Sequence, residues 1–245
     1  PFLAGFMLTF TNWNGITPID SLDYDWVGLS NFIRAFSSSE FLEVLWLTFR
    51  YVVLVILFTN VIAFGLALLV SSTLPFRNIF RAAFFVPNLI GGVLLGFIWQ
   101  FVFSTFVPYL GDLTGFELLQ FSWLVETPKA FAALVIVSVW QLSGYMMLIY
   151  IAGLTGIPNE VMEAASIDGA SPFGQLIYIK IPLMVQAFAI SIFLTLRNSF
   201  MVFDVNLALT DGGPFRSTEM MTLHIFNEAF VTQRFGPAQI GRAHV

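Results

Sequence analysis

Four stretches of this chain, residues 45–70, 82–104, 130–154 and 183–207, stay apolar beyond the roughly 18 residues that mark a membrane-crossing helix. Hydrocarbon offers no partner to backbone N–H and C=O groups, so such segments satisfy them internally, as helices. Hydrophobic residues make up 58% of the chain and charged residues 10%, against roughly 45–50% and 25% in soluble domains. Together with a mean hydropathy of +0.84, this predicts an all-α, polytopic membrane helical bundle forming one domain. Cysteine is absent, which excludes disulfides, thiolate metal sites and cysteine catalysis. The net charge of −5 is spread thinly, with no basic cluster to recognise nucleic acid.

Both ends read as cut. The opening PFLAGFMLTF is too short for the ~20 residues of a full span and carries no basic n-region or cleavage site. It is expected to be the tail of a first membrane helix. The final residues 240–245, IGRAHV, are the in-frame translation of a common sequencing adapter, so the genuine domain is expected to cover residues 1–239. The short turn 71–81 carries Pro75, Arg77 and Arg81 and no acid, which places it, and with it the segment containing Lys180, on the cytoplasmic side. Arg34, Lys129, Arg216 and Arg234 then fall on the opposite side, in longer and more acidic segments. Residues 12–40, with Trp13, Pro18 and Trp26, and residues 105–129, with Pro108, Gly111, Gly115 and Trp123, read as outer connectors, the second with short interfacial helices. Arg50 lies near the outer end of its span, where its stem can snorkel to the interface.

Between the third and fourth apolar stretches lies IPNEVMEAASIDGASPFGQLIYIKIP, residues 157–182. Pro158 suits a first helical position. Glu160 and Glu163 then meet the positive end of the helix dipole, and Asp168-Gly169 supplies a stop. Ser171-Pro172 starts a second helix, with serine as cap. A first helix of about eleven residues is too short to stand alone in water and must dock on something. Ala164 and Ala165 offer small side chains that a partner surface can approach closely.

This segment resembles the EAA loop of permease subunits of ATP-binding-cassette importers. Glu163, Ala164, Ala165, Asp168, Gly169 and Ala170 match its core, and Ile179 and Pro182 match its closing I-x-L-P, with Ile181 in place of leucine and Leu176 where the carbohydrate branch often has phenylalanine. Similar matches run along most of the chain. Asn12-Trp13-Asn14-Gly15, Val27 to Phe32, Ser138-Val139-Trp140-Gln141 and Gly153-Leu154 look like carbohydrate-importer permeases. Phe203-Asp204 with Leu209-Thr210-Asp211-Gly212-Gly213-Pro214 resembles the F-D…L-T-x-G-G-P signature of the maltose-permease F-type and glycerol-phosphate-permease A-type branch. The resemblance implies the MetI-like fold, with about six helices, of which five are at least partly present here. It implies a coupling role toward the ATPase for Glu160, Glu163, Ala164, Ala165, Asp168 and Gly169. It also implies a second permease subunit, two cytoplasmic ATP-binding subunits, an extracytoplasmic solute-binding protein, a sugar or sugar-derivative cargo, no cofactor, and a bacterial or archaeal cytoplasmic membrane as the location.

A sugar path needs hydrogen-bonding groups inside the apolar bundle. Asn60, Asn88, Gln100, Gln141, Tyr145, Thr195, Arg197, Asn198 and Ser199 are the candidates in the spans, although packing between helices is the commoner task of such groups. By resemblance, Tyr145, Thr195, Asn198 and Ser199 correspond to positions on the sugar site of the maltose-type permease. Arg197 is expected to snorkel rather than to touch cargo. Gly92 and Gly96 form a GxxxG, read as helix packing within the fold. The 29 phenylalanines are expected to face lipid or fill the bundle. His224 is read as a loop residue without a second ligand, so no metal site is expected.

The sequence lacks a GxxxxGK[ST] phosphate loop, so ATP hydrolysis is expected on separate subunits, and no HExxH or G-x-S-x-G signature points to a membrane enzyme. Two alternatives stay open: a permease for another solute, and an ion-coupled secondary transporter. The latter would need a carboxylate at mid-membrane, whereas Asp204, the one acid near a span, falls toward its outer end.

Overall fold

The computed structural model describes residues 2–13, 24–71 and 76–231. Asn14-Gly15, Pro18, Pro75, Arg234 and residues 240–245 lie outside the described residues. The described chain is helical, apart from one isolated antiparallel bridge between Thr11 and Trp26. It divides into two compact units. One comprises residues 1–51, 92–134 and 200–245, and the other residues 52–91 and 135–199.

The first unit opens with helix α1 (Phe2–Leu8) and helix α2 (Ser30–Ser37). The amide of Asn31, on α2, donates to the carbonyls of Thr9 and Thr11 at 2.9 and 2.8 Å, and Phe10 stacks on Trp26. The segment after α1 is thereby tied to α2. Helix α3 (Ser39–Ser71) spans 33 residues, about 50 Å at 1.5 Å per residue. It extends residues 45–70 by two turns into the polar segment before them, and its last twenty residues belong to the second unit.

The apolar stretch 82–104 is not one helix, which corrects the sequence reading. Helix α4 (Arg77–Leu89) contains Pro87 and stops, Ile90 turns extended, and helix α5 (Gly92–Phe101) begins a new course. Proline removes a backbone donor inside a helix, and the Gly91-Gly92 pair that follows has little helical preference. Helix α5 continues through a π-turn (Val102–Phe106) into helix α6 (Val107–Thr114). The apolar helix long enough to cross a membrane is therefore Gly92–Thr114. Two 3-10 turns, Glu117–Leu119 and Trp123–Val125, follow it.

Helix α7 (Thr127–Thr155) matches residues 130–154 and is the most enclosed of the spanning helices, with 61% of its apolar window buried. After it come helix α8 (Asn159–Ile167), helix α9 (Pro172–Gln175), a π-turn (Leu176–Lys180), helix α10 (Ile181–Leu183) and helix α11 (Val185–Phe200). Residues 183–207 form no single span either. The helical course bends by 69° at Met184, two residues after Pro182, and α11 ends at Phe200. Helix α12 (Asp204–Leu209) and helix α13 (Met221–Phe226) follow as separate short helices. Alone, the 16 residues of α11 cover about 24 Å, short of a ~30 Å hydrocarbon core. A crossing here needs the bent pair together.

The core of the second unit joins Ala63, Ala67 and Val70 of α3, Met146, Met147, Tyr150 and Ile151 of α7, and Met184 and Ala187 beside and on α11. Small residues set the distances. A Cβ on Gly144 would lie 1.7 Å from the carbonyl oxygen of Phe84, and one on Gly153 would lie 2.8 Å from the Ala187 Cβ. In the first unit, a Cβ on Gly92 or Gly96 would fall 2.6 Å from the Asp204 Cβ or 2.5 Å from the Ala208 Cβ. The GxxxG pair is therefore the seat of α12.

These contacts predict a contrast between two helical glycines. Gly144→Ala drives a methyl into a backbone carbonyl and should destabilise the protein by about 1–3 kcal/mol. Gly65→Ala, where nothing lies within 4 Å of an added Cβ, should leave stability unchanged or slightly raised. Thermal unfolding of the two detergent-solubilised variants checks this, and equal midpoints would refute the packing account.

Candidate functional site

Three constellations carry the polar chemistry: the 157–182 loop, a hydrogen-bonded cluster inside the second unit, and the loop after α12 in the first.

In the 157–182 loop, Pro158 is the residue before the helix, with extended backbone, rather than its first turn, and α8 is nine residues long, not eleven. Its end follows the sequence logic. Gly169 takes φ +77°, the Ala170 N–H donates to the Ala165 carbonyl at 2.9 Å, and the Gly169 N–H donates to Ser166 at 3.2 Å. That pair is a Schellman motif, which closes the last turn. Ser171 caps α9 by accepting the Gly174 N–H at 3.1 Å. The Gln175 amide then reaches back to the Ser166 hydroxyl at 3.2 Å and the Ala170 carbonyl at 3.1 Å. The two short helices are thus fastened into one elbow.

Glu160, Glu163, Ala164, Asp168 and Gly169 are exposed on this elbow. Ala165 is not: at 7% exposure it is buried against its own chain, unlike its neighbours on the elbow. Sequence reasoning passed over Ile167, at 86% exposure, and the exposed Phe173 and Tyr178. With Asn159, Met162, Glu163 and Ser166, Ile167 lines a shallow open depression. The signal was present as apolar residues in an otherwise polar loop.

Inside the second unit, Asn60 is the hub. Its Oδ1 accepts from the Tyr150 hydroxyl at 2.7 Å and the Ser191 hydroxyl at 2.6 Å, and its amide donates to the Ile56 carbonyl at 2.8 Å and the Thr195 hydroxyl at 3.5 Å. Tyr150, Ser191 and Thr195 are fully buried. The cluster pins α3, α7 and α11 through side chains that lipid could not satisfy. Thr195 and Ser199 also donate to the carbonyls one turn back, Ser191 and Thr195, at 2.8 and 2.7 Å. Of the four path candidates, the structure links Thr195 to this cluster and Ser199 to Thr195, both buried. Asn198 is half-buried and accepts from Arg197 at 3.4 Å. Tyr145, 36% exposed, packs near Phe85. Arg197 sits exposed in the last turn of α11, a position suited to snorkelling. Gln141 donates to the Ile90 carbonyl at 3.4 Å, the carbonyl at the break after α4. Tyr150 and Ser191 were missed because a tyrosine and a serine in an apolar run look like ordinary filler.

In the first unit, the L-T-x-G-G-P segment is organised by the buried Asn206. Its amide donates to the Thr218 carbonyl at 2.8 Å and its Oδ1 accepts the Met220 N–H at 3.2 Å. The Thr218 hydroxyl lies 2.8 Å from both the Thr210 hydroxyl and the Gly213 carbonyl, within hydrogen-bond reach of each. Beyond it, Glu219, 2% exposed, pairs with Arg216 and lies 3.2 Å from both the His224 ring and the Asn227 amide. Arg216 also pairs with Glu40. Burial alone would raise the Glu219 pKa, but hydrogen bonds from His224, Arg216 and Asn227 and the charge of Arg216 outweigh it and hold the carboxyl down to about 2. His224 is on helix α13 rather than in a loop. It is buried, with Glu219 and Arg216 as partners. Among the described residues, no group of three or more His, Cys, Asp or Glu side chains gathers as a metal site would require.

Residues 61–240 match the model of the binding-protein-dependent transport system inner membrane component. The chain belongs to that family. Its members are transport permeases rather than catalytic subunits, and the spanning helices make this one an integral membrane protein with the MetI-like permease fold. Among its relatives, the probable starch degradation products transport system permease protein AmyD of Thermoanaerobacterium thermosulfurigenes is 42% identical over 240 residues, covering 98% of this chain and 80% of that protein. The diacetylchitobiose uptake system permease protein NgcF of Streptomyces coelicolor is 34% identical, with 97% and 70% covered. A bacterial ABC transporter involved in the import of the acidic polysaccharide alginate superposes with a TM-score of 0.82 at 18% identity, covering 99% of this chain and 82% of that one. The latter likeness is one of fold.

Two predictions follow from the permease's polar groups. Asn60→Leu strands the Tyr150 and Ser191 hydroxyls and should cost about 1–3 kcal/mol, while Asn60→Leu with Tyr150→Phe should cost less than the sum of the single changes. Additive losses in a double-mutant cycle would dissolve the cluster into independent contacts. Glu219, with its pKa depressed in the folded state, lends stability that is full above the ordinary carboxylate pKa near 4.5 and is lost as the pH falls toward 2, at most about 3 kcal/mol. Glu219→Gln should flatten the dependence of the unfolding midpoint between pH 5 and pH 3; an unchanged slope would show that the carboxylate is not coupled to folding.

Proposed function

We propose that the chain forms half of the translocation pore of an ATP-driven carbohydrate importer and receives ATPase motion through residues 157–182. The observation that carries the cargo class is the run of similar permeases across nearly the whole chain. Besides the starch-product and diacetylchitobiose permeases, it includes the multiple sugar-binding permease MsmF of Streptococcus mutans at 29% identity and the trehalose/maltose permease MalF of Thermococcus litoralis at 29%. The assembly read from this has a second permease subunit, two cytoplasmic ATP-binding subunits and an extracytoplasmic solute-binding protein, in the cytoplasmic membrane. A solved alginate importer in complex with its pentasaccharide-bound periplasmic protein supports the binding-protein arrangement.

For coupling, the fastened elbow supplies what a push requires. A helix that must transmit force cannot fray, and α8 is closed at its end by the Schellman bonds and braced by Gln175. Glu163, Ala164 and Ile167 form the contact face, while Asp168 and Gly169 shape the turn. Tyr145 and Asn198 take the cargo-facing role, because Thr195 and Ser199 are committed to internal bonds. An ion-coupled secondary transporter fits less well. In the described spanning helices, acids occur only near the ends, at Glu40, Glu43 and Asp112, with none at mid-membrane to relay a proton.

Doubling the change on the contact face, Glu163→Lys with Ile167→Arg, should reduce retention of the ATP-binding subunit on the purified permease by about tenfold or more and abolish uptake of labelled maltotetraose. The unfolding midpoint should stay in place, since both side chains are exposed. Full ATPase retention with normal uptake would overturn the coupling assignment.

A further inference from the structure

At the start of α3, a recess of ≈ 310 Å³ is lined by Glu40, Glu43, Trp46, Arg50, Phe215 and Arg216. This lies at the low end of small-ligand pockets, roughly 300–1,000 Å³. Arg216 is committed to Glu40 and Glu219. Glu43 and Arg50 are different. Both are exposed and neither forms an ion pair among the described residues; the Arg50 guanidinium instead lies over the Phe131 ring, 5.4 Å from its centroid. They are seven residues apart on one helix, hence on one face and about 10 Å apart along the axis. Glu43 is nearer the polar start of α3, and Arg50 is deeper, toward the apolar run. Between them stands Trp46, 61% exposed, a side chain that favours the headgroup level of a membrane.

We propose that this recess binds the headgroup of a zwitterionic phospholipid whose hydrogen-bonding ammonium meets Glu43 and whose phosphate meets Arg50. The order of charges carries the argument. In an ethanolamine phospholipid the phosphate lies nearer the acyl chains and the ammonium nearer water, as Arg50 and Glu43 do. The planar guanidinium suits bidentate phosphate contact, and a primary ammonium donates hydrogen bonds to a carboxylate where a choline headgroup has no N–H to give. The recess holds carboxylates and guanidiniums in equal number, two of each, so a purely anionic headgroup lacks a matching field. The inference is independent of the cargo.

The test is lipid retention by the assembled transporter, purified from nanodiscs of phosphatidylethanolamine, phosphatidylcholine or phosphatidylglycerol and read by native mass spectrometry. Phosphatidylethanolamine should be retained on the order of fivefold above either other lipid and should raise the unfolding midpoint. Glu43→Gln and Arg50→Gln should each remove the preference while the protein stays folded, and the wild-type lipid comparison decides the matter even if a variant fails to assemble. Equal retention of all three lipids would overturn the proposal. So would equal stabilisation by soluble O-phosphoethanolamine, which marks a free phosphate-ester site. Loss of the second permease rather than of lipid in the variants would also overturn it, assigning the face to a protein interface.

Discussion

Inside hydrocarbon, every backbone polar group has to find its partner within the protein, and the irregular features of this chain are arranged around that demand. Where α4 gives way to α5, the Ile90 carbonyl has lost its place in a helix ladder, and Gln141 of α7 reaches it. Serine and threonine in the spans return their hydroxyls to carbonyls one turn back, as Ser143, Thr195 and Ser199 do. Asn60 does both kinds of work: it bonds its own helix at Ile56 and gathers hydroxyls from two others. Polar residues in these helices are structural first, and a residue becomes a candidate for cargo contact only when this internal accounting leaves part of it unspent.

Close approach of backbones is the second requirement, and glycine and alanine meet it. Lipid tails are as apolar as leucine, so association of helices gains little from apolar burial and depends on packing. Gly144 beside the Phe84 carbonyl, Gly153 beside Ala187 and the Gly92/Gly96 pair beneath α12 each remove a Cβ where two backbones or a backbone and a small side chain meet. Large residues are then free to lie outward. The exposed Phe97, Phe101, Phe193 and Leu94 are what lipid or a neighbouring subunit would cover.

The helical class, the long α3 and α7, the stop at Gly169 and the cap at Ser171 were legible in the sequence, because each depends on local composition or on a residue whose backbone preference is strong. The breaks were not. Hydropathy over residues 82–104 and 183–207 is uninterrupted, and an average over apolar side chains is blind to the missing N–H of Pro87 and Pro182 or to the weakness of Gly91-Gly92. The site was legible in part for a related reason. The EAA segment has a fixed spacing that survives in one chain, whereas the Asn60 cluster joins residues 90 or more positions apart, and nothing local distinguishes Ser191 from any other serine in a span. Ala165 illustrates the limit: its smallness was readable, but which side of the helix it faces was set by the docking of α8 on its own chain.

The elbow, the bend at Met184, α11 and the Asn60 cluster all belong to the same compact unit, which bears on how a push on α8 would be used. The elbow's internal bonds are numerous, so it resists local deformation and passes displacement onward. The π-turn of residues 176–180 and the 69° bend that follow are points where a helix ladder is already irregular and can flex without breaking regular hydrogen bonds. Beyond the bend, Ser191 and Thr195 tie α11 to Asn60 of α3 and, through it, to Tyr150 of α7. In the proposed importer, force entering at Glu163 and Ile167 therefore meets a stiff lever, a flexible joint and a clasped trio of helices in that order. Motion would concentrate at the joint and leave the Asn60 clasp intact.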